Sequence, residues 1–436
     1  MEYPTIPELS GLIEQLTEYG RLKHEYGAQG VSGLFAKAET GLRSILGGLK
    51  ELPIDRELSA AEPDDLASIR GLRPHGPRRL WQVWREDAYR GKLEGALLAR
   101  AAGCTLGAMV EGWQMAEMEE WAGHTGDPFP PNRYWSQAKD PSKLRYGKSL
   151  MQEYTRNGMN SVPVDDDLAY TLLGLLIVEA YGANFTTKNV GEAWLKYLPY
   201  ACTAEEVALK NLKAGLPASS AGEVDNPYCQ WIGADIRSDA WAYLTPGWPE
   251  KAAEMAYHDA YLSHRRNGVY GAMFFAAAES AAFAVDDPVE ALKIGLTEIP
   301  ENCWLATEVR WALTVGKGIG NYREARQAVD LRFPGMHPVH TINNACLTIF
   351  GLMLGGTDLT RVLSEIVAMG LDNDCNAATA GSIVGAMVGK DGIPQHWYEN
   401  FNNTICTYLI EAETFMIDEL INRFDHQAMI AFNALL

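Results

Sequence analysis

Gly370-Leu371-Asp372-Asn373-Asp374-Cys375-Asn376-Ala377-Ala378-Thr379-Ala380-Gly381-Ser382-Ile383-Val384-Gly385-Ala386-Met387-Val388-Gly389 is the stretch whose reading decides the fold. Gly381, Gly385 and Gly389 stand in one row at four-residue spacing. Glycine inside a helix costs about 1 kcal/mol against alanine, so such a row needs a reason, and close approach of a second helix backbone supplies one. A matching row, Gly95, Ala99, Gly103 and Gly107, leads to Glu111. Two helices of this kind belong at the centre of a helical domain. Around them, apolar residues recur three and four apart over 168–181, 189–198, 249–261, 269–285, 288–296 and 359–369, the period of an amphipathic or buried helix. Asp286-Asp287-Pro288 reads as a capped helix start and Gly182 as a helix stop. Convincing alternating strands are scarce, so the expected fold class is all-α.

Composition narrows the class of partner. The 37 Lys+Arg against 56 Asp+Glu give a formal net charge of −19, which repels phosphates and anionic lipid headgroups, so neither nucleic acid nor a membrane is expected as a partner. With 47% hydrophobic residues, 12 of them Trp, the chain can bury a large core and is not a disordered protein. The most apolar run, 271–285, carries Glu279 and is shorter than the roughly 20 residues a bilayer span requires, so it reads as a buried helix. The start, Met1-Glu2-Tyr3-Pro4-Thr5, has neither a basic nor an apolar leader region, and a cytoplasmic location is expected. The seven cysteines, Cys104, Cys202, Cys229, Cys303, Cys346, Cys375 and Cys406, contain no Cys-x-x-Cys pair, so neither a disulfide frame nor a zinc ribbon is indicated.

Residues 5–50 read as one or two amphipathic helices, and Gly71-Leu72-Arg73-Pro74-His75-Gly76-Pro77 is a break before a helix expected from Leu80 onward. The expected division is an N-terminal helical extension over 1–85 and a main all-α domain over 86–436.

Three acidic groups adjoin the buried helices: Asp165-Asp166-Asp167, Asp372-Asn373-Asp374 and Glu111. Aspartate is a preferred N-cap, and that explanation suffices for Asp286-Asp287. Asp165, Asp166 and Asp167, however, run directly into an apolar helix, where three carboxylates would repel one another. A cation neutralises such a group, and oxygen ligands without clustered His or Cys favour Mg²⁺, Mn²⁺ or Ca²⁺ over zinc.

Taken together, Gly95-x7-Gly103-x3-Gly107-x3-Glu111, Asp165-Asp166-Asp167-x3-Thr171, Leu262-Ser263-His264 and the quoted 370–386 stretch resemble the ADP-ribosylglycohydrolase family over residues from about 90 to 390. The resemblance implies a compact orthogonal multi-helix domain with two Mg²⁺ ions, or Mn²⁺ as the alternative. It implies ligands among Asp165, Asp166, Asp167, Asp372 and Asp374, with Glu111 as catalytic base and Ser263, His264 and Asn376 near the substrate. It further implies hydrolysis of a ribose anomeric bond in an ADP-ribosylated protein or an ADP-ribose-like small molecule. Two departures stand out: Cys375 replaces the threonine that normally follows the second aspartate, and Cys104 stands where the first motif normally has aspartate. Hydrolysis of a free nucleoside-like metabolite and a non-catalytic crystallin-like role are the alternatives. Between Glu111 and Asp165, an aromatic segment with Trp113, Trp121, Phe129, Tyr134 and Trp135, followed by Lys143, Arg145, Tyr146 and Lys148, is either a substrate lid or ordinary packing.

Overall fold

Helix starts follow the local chemistry of the chain. In the computed structural model, which describes residues 3, 9–137 and 151–434, the Asp287 carboxylate accepts from the Val289 amide at 3.0 Å and Pro288 opens the Pro288–Gly295 helix, as a cap followed by proline requires. The expected 359–369 helix is Leu359–Met369, capped by Asp358. Among the described residues there are twenty α-helices and one two-stranded sheet, in which Thr404–Cys406 pairs antiparallel with Thr414–Met416.

The chain divides into two compact units, Met1–Ala60 and Ala61–Leu436. The first consists chiefly of the helices Ser10–Glu25 and Val31–Lys50, neither of which buries a residue. The second begins upstream of residue 86, the first residue of the main domain in the sequence reading, and the reason is electrostatic. Glu62 accepts from Arg266 Nε at 2.9 Å, Asn267 Nδ2 at 3.0 Å and the Trp304 amide at 2.8 Å. Arg73 and Arg78 both pair with the buried Glu298. No helix starts at Leu80: the Leu80 and Trp81 amides both donate to the Gly247 carbonyl, at 2.7 and 3.0 Å, and the helix begins at Glu86.

At the centre of this unit Glu86–Ala108 crosses Asn373–Val388, both buried over most of their length. A Cβ on Gly95 would lie 2.5 Å from the Gly385 carbonyl oxygen, and one on Gly385 would strike the Gly95 carbonyl in return. Only glycine permits that approach. The same crossing sets Gly107 directly against the backbone of Asp374, so the small-residue row also fixes where the acidic motif sits. Leu97, Leu106 and Ile383 are wholly buried around the crossing, each contributing about 1.5–3 kcal/mol. Asn267–Ala282, Thr341–Gly355 and Leu359–Met369 pack on the Asn373–Val388 helix, and Asp166–Tyr181 on the Glu86–Ala108 helix. Buried Glu279 lies within Asn267–Ala282, and among the described residues no helix is long and apolar enough to cross a membrane.

Candidate active site

Two helix starts and one helix end bring the acids together. Asp165 caps Asp166–Tyr181, accepting from the Asp167 amide at 3.0 Å. At the other start, Leu371 has φ 64°, a left-handed conformation that costs a non-glycine residue about 1–3 kcal/mol and turns the chain sharply before Asp372. Asn344 holds that turn: its Oδ1 accepts from the Asp372 amide at 3.3 Å and from Asn376 Nδ2 at 2.9 Å. Glu111 follows the end of the Glu86–Ala108 helix, and the next residue, Gly112, donates its amide to the Leu371 carbonyl at 3.2 Å.

The result is a cavity of about 360 Å³ whose wall includes Glu111, Asp165, Asp166, Glu205, Asp372 and Asp374, within the size range of small-molecule sites. Carboxylate oxygens of Glu111, Asp372 and Asp374 lie within 4.8 Å of one another. Asp372 and Asp374 are 4% and 3% exposed, and each leaves Oδ1 without a hydrogen-bond partner. Unpaired buried carboxylate oxygens are costly, and an all-oxygen group carrying two of them fits a divalent cation. Asp167 lies deeper, wholly buried, with Arg100 Nη2 donating to its carbonyl at 3.0 Å and standing 3.4 Å from its Oδ1. Arg100 also pairs with Asp239 at 2.9 Å, so one guanidinium balances two interior acids.

The cluster holds its protons tightly. Burial first, and then the charges of Asp372 and Asp166, raise Glu111 to about 7. It sits at the rim, accessible to solvent yet partly stripped of hydration by the wall. Burial is also the main cause of the upward shifts of Asp165, Asp166, Asp167, Asp372 and Asp374, with repulsion among the acids adding to it at all but Asp166. Across the cavity Glu205 is raised to about 7 by burial, against the pull of Arg237.

The structure thus gathers Glu111 and the five aspartates. The remaining sequence candidates do not line the cavity. Ser263 Oγ and His264 Nδ1 are 2.8 Å apart in a buried network in which Arg237 donates to Ser263 at 3.1 Å and to Glu205 at 2.9 Å. Burial and the nearby Arg237 and Arg265 push His264 far below its ordinary value and keep it neutral. Asn376 is buried between Asn344 and Thr348. His340 caps the Thr341–Gly355 helix, its Nδ1 accepting from Ile342. Trp135 and Tyr134 are core residues, bonded to the Leu106 and Trp397 carbonyls at 3.0 and 2.6 Å. Lys143, Arg145, Tyr146 and Lys148 lie outside the described residues. Sequence reasoning missed Glu205 and the stacked pair Tyr200 and Tyr408, with ring centroids 4.7 Å apart, all on the cavity wall. Glu205 follows Thr203-Ala204 in what reads as an ordinary acidic helix start, and nothing local marks it out.

The sequence profile described as ADP-ribosylglycohydrolase matches residues 85–428. The chain belongs to the ADP-ribosylglycohydrolase family. A glycohydrolase function goes with that membership. The family is generally metal-dependent, and the buried acidic groups can bind a metal. The solved structure of an ADP-ribosylglycohydrolase-related protein complex is similar to this chain with a TM-score of 0.53 and 18% identity, covering 79% of this chain and 99% of that one. At that identity the likeness shows the fold alone. No curated protein sequence matches the chain.

Proposed function

We propose that the chain is a divalent-cation-dependent hydrolase that cleaves the anomeric bond of an ADP-ribosyl group, on a protein or in a small molecule. The observation that carries this reading is the pair of unpartnered buried oxygens on Asp372 and Asp374, two residues of the wall of the cavity that Glu111 borders. Asp165, Asp166, Asp167, Asp372 and Asp374 are the residues that would hold Mg²⁺ or Mn²⁺. Such an ion supplies charge neutralisation and polarises the hydroxyls of a bound ribose.

Glu111, at the rim of the cavity, is placed to accept a proton from water, the task of a general base. It accepts a proton from a water whose oxygen attacks the anomeric carbon. The bond to the leaving nitrogen or oxygen then breaks, and the leaving atom takes up a proton. Arg100 opposes the burial-driven rise of Asp167 and holds that residue in place through its carbonyl and Oδ1. The open rim position of Glu111 lets it reach water before substrate closes the cavity.

One observation favours a second substrate. Among the described residues lining the cavity none is Lys, Arg or His, so a diphosphate meets no side-chain cation there, whereas a free nucleoside-like metabolite requires none. The test is release of ADP-ribose from arginine- and serine-linked ADP-ribosyl peptides, with Mg²⁺, with Mn²⁺ and in EDTA, by wild type and Glu111→Gln. Metal-dependent release lost in the variant supports the reading. Failure of ADP-ribose to bind at millimolar concentration, with nucleoside hydrolysis intact, supports the second substrate, and a cation-binding chain that hydrolyses neither is a non-catalytic member.

A further inference from the structure

Two cysteine thiols adjoin the acidic cluster. Cys375 Sγ donates to Asp167 Oδ2 at 3.3 Å, and donor atoms of Asp167, Asp374 and Cys375 lie within 4.8 Å of one another. Cys104, on the opposite helix, forms a second such group with Asp165 and Asp167. Asp167 is common to both. The helix crossing explains why: Gly103, next to Cys104, abuts the Ala377 backbone, and Gly107 abuts that of Asp374. The third group, Glu111, Asp372 and Asp374, offers oxygen alone.

Buried cysteine commonly acts as a small apolar filler. Here the sulfur end is turned toward carboxylates, and the orphaned Asp374 Oδ1 lies in the same set of residues. In a tetrahedral shell with metal–sulfur bonds of about 2.3 Å and metal–oxygen bonds of about 2.0 Å, ligand sulfur and oxygen stand roughly 3.5 Å apart. The 3.3 Å between Cys375 Sγ and Asp167 Oδ2 is close to that separation. A thiol is a poor ligand for hard Mg²⁺, while mixed sulfur and oxygen donors suit Zn²⁺, Co²⁺ or Fe²⁺.

We infer that the acidic cluster has two unlike cation positions: an outer, all-oxygen one at Asp372 and Asp374, beside the general base Glu111, and an inner one in which Cys375 joins Asp167 and Asp374 and which takes a thiophilic divalent cation in preference to Mg²⁺. This rests on the metal-dependent reading above and departs from a pair of identical Mg²⁺ positions. The inner cation displaces the thiol proton to solvent as the metal–sulfur bond forms, and no oxidant or reductant is involved.

The experiment is titration of the metal-free full-length protein with Co²⁺, read by the sulfur-to-cobalt charge-transfer absorption in the near ultraviolet, followed by competition with Zn²⁺ and Mg²⁺. The expected result is a charge-transfer band that Zn²⁺ abolishes and excess Mg²⁺ does not. Cys375→Thr should lose most of the band and bind Co²⁺ more weakly, while still gaining thermal stability from Mg²⁺ at the outer position. Cys104→Ser, in the separate group with Asp165 and Asp167, should leave the band in place. Should either variant fail to fold, the wild-type band and the order of competition still decide. Co²⁺ bound without a charge-transfer band, or displaced by Mg²⁺ as readily as by Zn²⁺, overturns the mixed site and leaves the hydrolase reading standing. No binding of Co²⁺, Zn²⁺ or Mg²⁺ overturns both. An intact band with no ADP-ribose or nucleoside release supports the site and removes the hydrolase reading alone.

Discussion

The Gly112 amide donates to the Leu371 carbonyl across 3.2 Å, a bond that ties the turn carrying Glu111 to the strained residue preceding Asp372. The backbone thus anchors Glu111 near Asp372, and carboxylate oxygens of the two lie within 4.8 Å of one another, where two negative charges repel. A cation or a proton relieves that repulsion.

Stability of the metal-free protein should therefore fall as pH rises from about 4.5 to about 7, the window between the ordinary glutamate value and that of Glu111 and Glu205 in the folded chain. Over that window the folded state binds more protons than the unfolded one, so the slope of unfolding free energy with pH is negative. Below it the contribution is fully present, and above it the contribution is lost. Thermal melts across this range, with and without millimolar Mg²⁺ or Mn²⁺, check this. A metal-free melting temperature that rises over the same window would refute it.

Asp372→Asn and Asp374→Asn should each leave the fold intact and raise the metal-free melting temperature by a few degrees, since a neutral amide removes one repelling charge. Both should abolish the stabilisation by Mg²⁺, which for wild type amounts to about 2.7 kcal/mol at a hundredfold excess over Kd. Calorimetric titration and melting curves on the same samples separate the two effects.

Arg100→Met should cost about 3–5 kcal/mol, because it leaves Asp167 and Asp239 buried without their counter-charge. Denaturant unfolding measures this loss. Added Zn²⁺ or Co²⁺ should recover part of it, since a cation near Asp167 supplies some of the missing charge.

Gly107→Ala should destabilise by roughly 1–3 kcal/mol and weaken cation binding, because the added methyl meets the Asp374 backbone. Gly123→Ala, in the Met115–Thr125 helix with nothing within 4 Å of the new Cβ, should instead stabilise by up to about 1 kcal/mol. The pair makes a matched test in which equal effects would remove the argument from close approach.

A chain starting at Ala61 should fold and retain cation binding, whereas one starting at Gly76 should be markedly less stable. The shorter chain loses Glu62 with its bonds to Arg266, Asn267 and Trp304, Arg70 with its pair to Glu254, and Arg73 with its pairs to Glu250 and Glu298. Melting temperatures and Mg²⁺ titrations of the two truncations compare them directly.

Helix class, the central crossing and the acidic motifs were legible in the sequence because each is written locally: apolar period, rows of small residues, caps at helix starts. The rows called for close approach of another helix backbone, and the packing decided that Gly95 meets Gly385. The burial of Glu279 and of Trp135 is likewise in keeping with the apolar stretches around them.

Sequence alone determined that six acids stand at the ends of buried helices, since identity and helical period fix which residues occupy those ends. It did not determine which way their side chains face. Asp167 turns down to Arg100, while Asp165 and Asp166 face the cavity, because successive residues on a helix point about 100° apart and only the packed neighbours decide which direction is interior. Ser263 and His264 likewise sit behind Glu205 and Arg237 rather than on the wall, and Tyr200, Tyr408 and Glu205 reach the cavity from segments with no shared local pattern. Contacts between residues far apart in the chain are set by how helices stack, and that stacking is a property of the whole core, which no single segment encodes.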